Sequence, residues 1–246
     1  MKKIGRPKWC RSYTFFKENI LVVIPARGGS KRIPNKNFRV IDGQPAVARI
    51  IDKLVSTNLF NQIIVSTDLK KIPNTLKKYK DYFHLRAGNL SDDHTSLVEV
   101  MAFEANRLAS MGSYKYVLCA LPTAFAFSKD EISKSLNYLI VNRKADYTTC
   151  IKTFESNIER ALIKRESGDL KMKVPKHFFK RSQDCEKLYH DVGQFYWGKA
   201  AAWQSRKPFF SGNTLGFELA SRFVFDIDEP NDWVMAEQLF ECGLWR

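Results

Sequence analysis

Residues 20–37 read ILVVIPARGGSKRIPNKN. Residues 20–26 form an apolar run of mostly branched side chains, the pattern of a strand buried on both faces. The dozen residues from Ala26 hold two glycines, four basic residues and no acid. Working outward, further strands are expected at residues 61–67, 116–121, 147–151, 195–198 and 223–227. Helices are expected at residues 46–57, 96–111, 129–143 and 231–240. Strands alternate with helices, so the expected fold class is a three-layer α/β domain with a mainly parallel sheet. Such sheets bind ligands beyond the carboxyl ends of their strands. Three polar clusters fall there: the Arg27 loop, Ser66-Thr67-Asp68, and Asp226-Ile227-Asp228.

The chain has 246 residues, 44% hydrophobic and 27% charged, which describes a globular protein with one good-sized core. Residues 1–19 read as a basic extension and residues 20–246 as a single domain. Within that domain, residues 153–190 mix charge with KVPKHFFKR and read as an inserted arm. The extension has neither a continuous apolar core nor a small-residue cleavage site, so it is not read as a secretory signal. No apolar run approaches the ~20 residues that span a bilayer. Five widely spaced cysteines without C-x-x-C fit free thiols in a reducing cytosol, giving a cytoplasmic expectation. The four histidines lack zinc-ligand spacing.

The net charge is +14, but residues 1–40 hold 11 basic residues against the single acid Glu18. The other 206 residues hold 29 basic and 25 acidic ones. A duplex-binding surface spreads its basic stripe more widely, so no specific nucleic acid is expected. A small polyanion held by the 27–39 loop accounts for half of the local excess, and a solvated tail for the rest.

That loop is neither a Walker A motif nor a dinucleotide fingerprint. It nevertheless has the parts that bind phosphates. Gly28 and Gly29 permit tight turns and close backbone approach. Arg27 offers a planar fork, and Lys31 and Lys36 add point charges. The plain alternative is a surface turn of solvated basic residues. The buried strand before it and the lack of acid shift the reading toward an anion. In a strand, residues i and i+2 share a face, so Asp226 and Asp228 are expected to aim the same way. Mg2+ takes one or two carboxylates plus substrate phosphates and waters. The alternative has Asp228 capping the next turn and Asp226 paired with a basic residue.

Six segments carry a resemblance: PARGGSKRIPNKN (25–37), VSTD (65–68), LRAGNLSDDHT (85–95), RSQD (181–184), YHDVGQFYWG (189–198) and DIDEPNDW (226–233). In this order they resemble the cytidylyltransferases that activate nine-carbon ulosonic acids, the acylneuraminate or sialic acid group, over roughly residues 20–240. The fourth and fifth segments resemble the members that act on pseudaminic acid. The resemblance implies a Rossmann-like nucleotide-diphospho-sugar transferase fold with a projecting dimerisation arm, and a homodimer. It implies CTP and a nine-carbon 2-keto sugar acid as substrates, with attack of the anomeric hydroxyl on the α-phosphorus and release of pyrophosphate. Arg27, Gly28, Gly29, Ser30, Lys31, Lys36 and Asn37 would hold the triphosphate, with Arg86 and Ser91 near the cytidine. Asp226 and Asp228 would hold Mg2+. Arg27, Lys36 and Asp228 are the implied catalytic residues, Asp228 being the first suspect as general base. Arg181, Gln183, Gln194 and Tyr196 would fall on the sugar side, with Trp197 beside Tyr196 walling it.

The chain also departs from the sialic pattern. Leu121-Pro122-Thr123 stands where Gln-Pro-Thr is usual, and Val192-Gly193 where Asn-Gly is usual. The first change removes a polar sugar contact and makes the expected pocket less polar there, which suits a deoxy, methyl-bearing sugar. Residues 69–85 match poorly, with Pro73 interrupting an expected helix, and TAFAFSKD (123–130) is atypical. Two alternatives are carried: a cytidylyltransferase for legionaminic, sialic or octulosonic acid, and a non-catalytic nucleotide- or RNA-binding module.

Overall fold

Strand β1, Ile20–Pro25, sends alternate side chains into two separate cores, and that division organises the domain. The computed structural model describes residues 20–86, 88–90, 95–110 and 114–245; the 1–19 extension and Ser91 lie outside them. The remaining strands are β2 Val40–Ile41, β3 Gln44–Pro45, β4 Gln62–Thr67, β5 Phe83–Leu85, β6 Tyr116–Ala120, β7 Tyr147–Thr153, β8 Leu162–Lys164, β9 Leu170–Met172, β10 Tyr189–Lys199 and β11 Thr214–Glu218. The α-helices are α1 Ala46–Thr57, α2 Leu97–Ala109, α3 Lys129–Val141, α4 Ala200–Gln204 and α5 Pro230–Glu241.

Seven strands form one sheet in the order β11-β7-β10-β6-β1-β4-β5. Only β10 runs against its neighbours; the other pairings are parallel. Ile20, Val22 and Ile24 pack with α1, α3 and α5 on one face. Leu21 and Val23 pack with α2 and α4 on the other. With both faces covered, β1 can be apolar throughout, as its sequence predicts. From β1 the strand order grows outward to β4 and β5 and then returns to β6. The topological switch therefore lies between β1 and β6, where ligand crevices form.

Local sequence sets the helix starts. Ser96 caps α2 in a capping box with Glu99, and Ser128 caps α3 with Glu131, which satisfies backbone donors that the helices themselves leave open. Pro73 does not break an α-helix; it precedes a 3-10 helix, Asn74–Tyr82.

Two expectations need correction. Residues 223–227 are not a strand. β11 occupies the sheet edge, and the carbonyls of Phe223 and Phe225 are taken by the side chains of Trp245 (2.8 Å) and Gln194 (3.1 Å) instead of by a ladder partner. The strand expected at 195–198 extends from Tyr189 to Lys199, with an irregular register between Asp191 and Tyr196. Residues 153–190 carry the β8–β9 hairpin and short 3-10 turns, with many exposed side chains. Among the described residues no helix is long and apolar enough to cross a membrane.

Candidate active site

The loop after β1 is held in shape by its own polar groups. The Ala26 amide continues the β1–β4 pairing by donating to Ser66 O at 2.8 Å. The Gly28 amide then turns to Asp68 Oδ1, also at 2.8 Å. A Cβ on Gly28 would come within 2.7 Å of Leu69 Cδ2, so glycine serves close approach to the β4 exit. The Gly28 N–H is thus directed at Asp68, and Gly29 is exposed with open space around it. Buried Asn37 closes the loop by donating from Nδ2 to Arg27 O at 2.9 Å.

Across from this loop lies the 223–229 stretch. Lys36 Nζ donates to Ile227 O at 2.5 Å and to Asp228 Oδ1 at 3.1 Å. Arg32 pairs with Asp228 at 3.0 Å and with Glu229 at 3.1 Å. Partial burial pushes the Asp228 carboxyl up, but the hydrogen bond and charge of Lys36, with the charge of Arg32, outweigh it and hold the group below its ordinary value. Asp226 behaves oppositely. Burial, reinforced by the negative charge of Asp228, raises it to about 6. Its carboxylate lies against Gly193, whose φ is +59° and whose added Cβ would sit 2.4 Å from Asp226 Cγ.

A cleft of about 590 Å³ opens between the loop and Asp228 at the carboxyl ends of β1 and β6, and Asp226 is not among the residues that line it. Arg27, Ser30, Lys31, Lys36 and Asn37 line it from the loop, and Asp228 from the far wall. Leu121, Pro122 and Thr123 line it after β6. Arg86, following β5, also lines it. The Arg86 side chain is buried, its amide donates to Thr67 O at 2.8 Å, and desolvation depresses its guanidinium against the opposing pull of Asp68.

The sugar-side candidates fall elsewhere. Arg181 and Gln183 are exposed on the arm, and Arg181 pairs with Asp184 at 3.5 Å. Gln194 is 1% exposed and Tyr196 7%. The Gln194 carboxamide bonds three backbone groups, and Tyr196 Oη donates to Asp191 Oδ2 at 2.6 Å. Neither lines the cleft. Three residues outside the expected site take part in its construction: Arg32, Asp68 and Asp191. Arg32 and Asp68 already stood in polar clusters at strand ends. Asp191 lies in the 189–198 segment of the resemblance, but its contacts with Tyr196 and the Gly193 amide (3.1 Å) are set by the fold, where the β10 register is irregular. Among the described residues no group of three or more His, Cys, Asp or Glu could hold a metal; the acidic pair is Asp226 and Asp228.

The cytidylyltransferase family model matches residues 21–165. A pseudaminic acid cytidylyltransferase of Campylobacter jejuni is 34% identical over 226 residues, covering 91% of this chain and 97% of the relative. A CMP-N,N'-diacetyllegionaminic acid synthase of Legionella pneumophila is 26% identical, with 91% and 97% covered. A CMP:2-keto-3-deoxy-manno-octonic acid synthetase structure, complexed with CTP, superposes with a TM-score of 0.68 at 16% identity over 92% of this chain and 100% of that one; this shows the fold. A family match over more than half of the chain and a relative aligned over nearly its whole length lead to one conclusion: the chain belongs to the cytidylyltransferase family.

Proposed function

We propose that this chain transfers the cytidylyl group of CTP to a nine-carbon 2-keto sugar acid, with pseudaminic acid as the preferred acceptor. The oxygen of the anomeric hydroxyl bonds to the α-phosphorus, the α–β phosphoanhydride bond breaks, and pyrophosphate and the hydroxyl proton leave. The observation that carries this reading is the meeting of Lys36 and Asp228 across a single cleft. Arg27, Ser30, Lys31 and Lys36 bind the triphosphate, while Asn37 and the Gly28–Asp68 bond brace the loop that presents them. Gly29 gives that loop open backbone. Arg86 is the described residue for the cytidine side; Ser91, the other residue the resemblance implies there, lies outside the described residues. Catalysis then rests on positioning and charge neutralisation.

Asp226 and Asp228 are the residues that would hold Mg2+. The donor set fits: two carboxylates, one with its proton affinity raised by burial and, second, by the negative charge of the other, suit a hard dication that completes its shell with phosphates and water. When bound, the metal neutralises phosphate charge and acidifies the acceptor hydroxyl. Asp228, held ionised by Lys36 and Arg32, suits metal binding better than proton acceptance.

The acceptor choice rests on the relative at 34% identity and on the apolar Leu121 at the cleft wall. The enzyme is further proposed to be a cytoplasmic homodimer. Buried thiols at Cys119 and Cys150 agree with the compartment, and the arm's exposed apolar side chains agree with a second copy. Arg181 and Gln183 on that arm would then face the partner's sugar site. Pyrophosphate release from CTP, measured across pseudaminic, legionaminic, N-acetylneuraminic and 3-deoxy-octulosonic acids, tests the proposal. Pseudaminic acid should give the highest kcat/KM; a flat or absent response to every acid rejects the function.

A further inference from the structure

Asp226 and Asp228 sit on a stretch without strand pairing, so their distance from the nucleotide loop must be fixed by side chains. Trp245 holds Phe223 O, Lys36 holds Ile227 O, and Asp232 Oδ2 accepts from the amides of Asp228 (2.9 Å) and Glu229 (2.7 Å). These ties come from the C-terminal segment and the loop. Gln194 is the tie that comes from the sheet. Its Nε2 donates to Phe225 O, next to Asp226, at 3.1 Å and to Val192 O at 3.2 Å. Its Oε1 accepts from the Ala126 amide at 3.0 Å, and its own carbonyl accepts from Leu121 N at 3.0 Å. Leu121, Pro122 and Thr123 wall the cleft, and Ala126 follows three residues after Thr123. One buried carboxamide therefore joins the segment after β6, at Ala126, to the residue before Asp226, while the backbone of the same residue holds Leu121 at the cleft wall.

We propose that Gln194 is a positioning residue that sets the aspartate pair relative to the nucleotide side of the cleft, and that it does not contact the sugar. The chemistry of an amide is required for this. Oε1 must accept while Nε2 donates twice, a combination that neither a carboxylate nor an apolar side chain supplies. A buried donor or acceptor left unpaired there would let the 225–228 stretch shift. The neighbouring Gly193 tightens the same constraint, because its missing Cβ leaves the space that the Asp226 carboxylate fills.

The inference rests on the proposed metal role of Asp226 and Asp228, and its test separates the two. Two variants are made in the full chain: Gln194→Glu, which keeps an acceptor for Ala126 N but loses both donors, and Gln194→Met, which keeps length and volume. Mn2+ alone is titrated into each protein and followed by electron paramagnetic resonance. CTP binding without metal is measured by calorimetry. The Mg2+ dependence of pyrophosphate release is recorded alongside. The expected result is a loss of about 10–100-fold in Mn2+ affinity, as supporting residues around metal ligands typically show, with metal-free CTP affinity unchanged and the Mg2+ activation constant raised in step. Unchanged Mn2+ affinity in either folded variant overturns the inference. Equal losses for Mn2+ and CTP also overturn it, since they mark general loosening. A raised KM for the sugar acid with normal Mn2+ binding restores Gln194 to the sugar pocket. A wild-type protein that binds neither Mn2+ nor CTP overturns the functional proposal along with the inference.

Discussion

Lys36 and Asp228 stand 192 positions apart in the chain, and their charged atoms meet at 3.1 Å. The contact joins the first strand's exit loop to the approach to the last helix, across the cleft. Lys36 is the more shielded partner, with 18% of its side chain exposed against 38% for Asp228. Opposite charges at that separation attract by about 5 kcal/mol at an effective dielectric of 20, before desolvation is subtracted. The pairing holds two charged groups where a triphosphate and its metal would need them.

Removing the Lys36 ammonium should therefore cost catalysis far more than folding. Lys36→Ala is expected to lower turnover by about 10²–10³-fold, the scale for losing one preorganised charge-stabilising group. Arg32 continues to pair with Asp228 in that variant, so circular dichroism and the melting profile should stay close to wild type. Near-normal pyrophosphate release from a folded Lys36→Ala protein would take the residue out of the mechanism. Arg32→Ala should give a smaller loss that fades with added salt, because its pairs are more exposed and open to screening.

Gly193 gives a sharper steric test. Its φ of +59° lies in the left-handed region, and a methyl group there would overlap the Asp226 carboxylate. Gly193→Ala should lower stability by about 1–3 kcal/mol through backbone strain alone and push Asp226 out of line with Asp228. Urea denaturation should record the first effect, and a weakened Mg2+ response the second. A variant that keeps the wild-type Mg2+ response would show that Asp226 is not pinned against this glycine.

The parts of this architecture that were legible in the sequence are those whose signal is local. β1 announces itself because every residue from Ile20 to Ile24 is buried, and a strand covered on both faces needs no alternation. The helix at residues 96–111 was legible from its apolar spacing, while its Ser96–Glu99 capping box emerged with the structure. The basic loop was legible because its signal is local too. The 223–229 stretch was not. FVFDID has strand composition, but its hydrogen bonds come from Gln194 and Trp245 at long sequence distance. β11, with Gly216 in its middle and a partly exposed edge, carries little strand signal. Gln194 shows the same limit at the site. Its place in a recognisable segment pointed to a ligand contact, whereas its three backbone partners are fixed only by the fold.

Lys53 supplies a pH-dependent test of the loop that walls the cleft. Its Nζ donates to Phe125 O at 2.6 Å and lies 4.8 Å from the Phe127 ring centroid. Burial lowers it from 10.5 to about 8. In the unfolded chain the group keeps its proton up to the higher value, so between these pH values the unfolded state binds more protons. Stability attributable to Lys53 therefore rises with pH across that window, by at most about 3 kcal/mol. Lys53→Met lacks this dependence. The difference in unfolding free energy between wild type and variant should move in favour of wild type as pH climbs from 8 to 10.5. A difference that stays constant over that range would mean that burial does not depress Lys53 and that its ammonium remains solvated in the folded protein.

The arm poses the last question, that of assembly. Phe178 and Phe179 stack edge to face with centroids 4.9 Å apart, yet they are 63% and 92% exposed. Leu162 and Leu170, facing outward from the β8–β9 hairpin, are 57% and 62% exposed. Scattered single apolar side chains are ordinary on a surface, but four such exposed side chains within residues 153–190 agree with the proposed interface. If a second copy covers it, light scattering should give the mass of two 28.5 kDa chains for the wild type. Phe178→Ser combined with Phe179→Ser should shift that value to one chain. Because these residues pack on the arm and not in either core, the double variant should keep its secondary structure. Arg181→Ala should leave the mass alone and raise KM for the sugar acid with little change for CTP, as expected for a residue that reaches the partner's cleft. A monomeric wild type with an unaffected Arg181→Ala variant would leave the arm without either role.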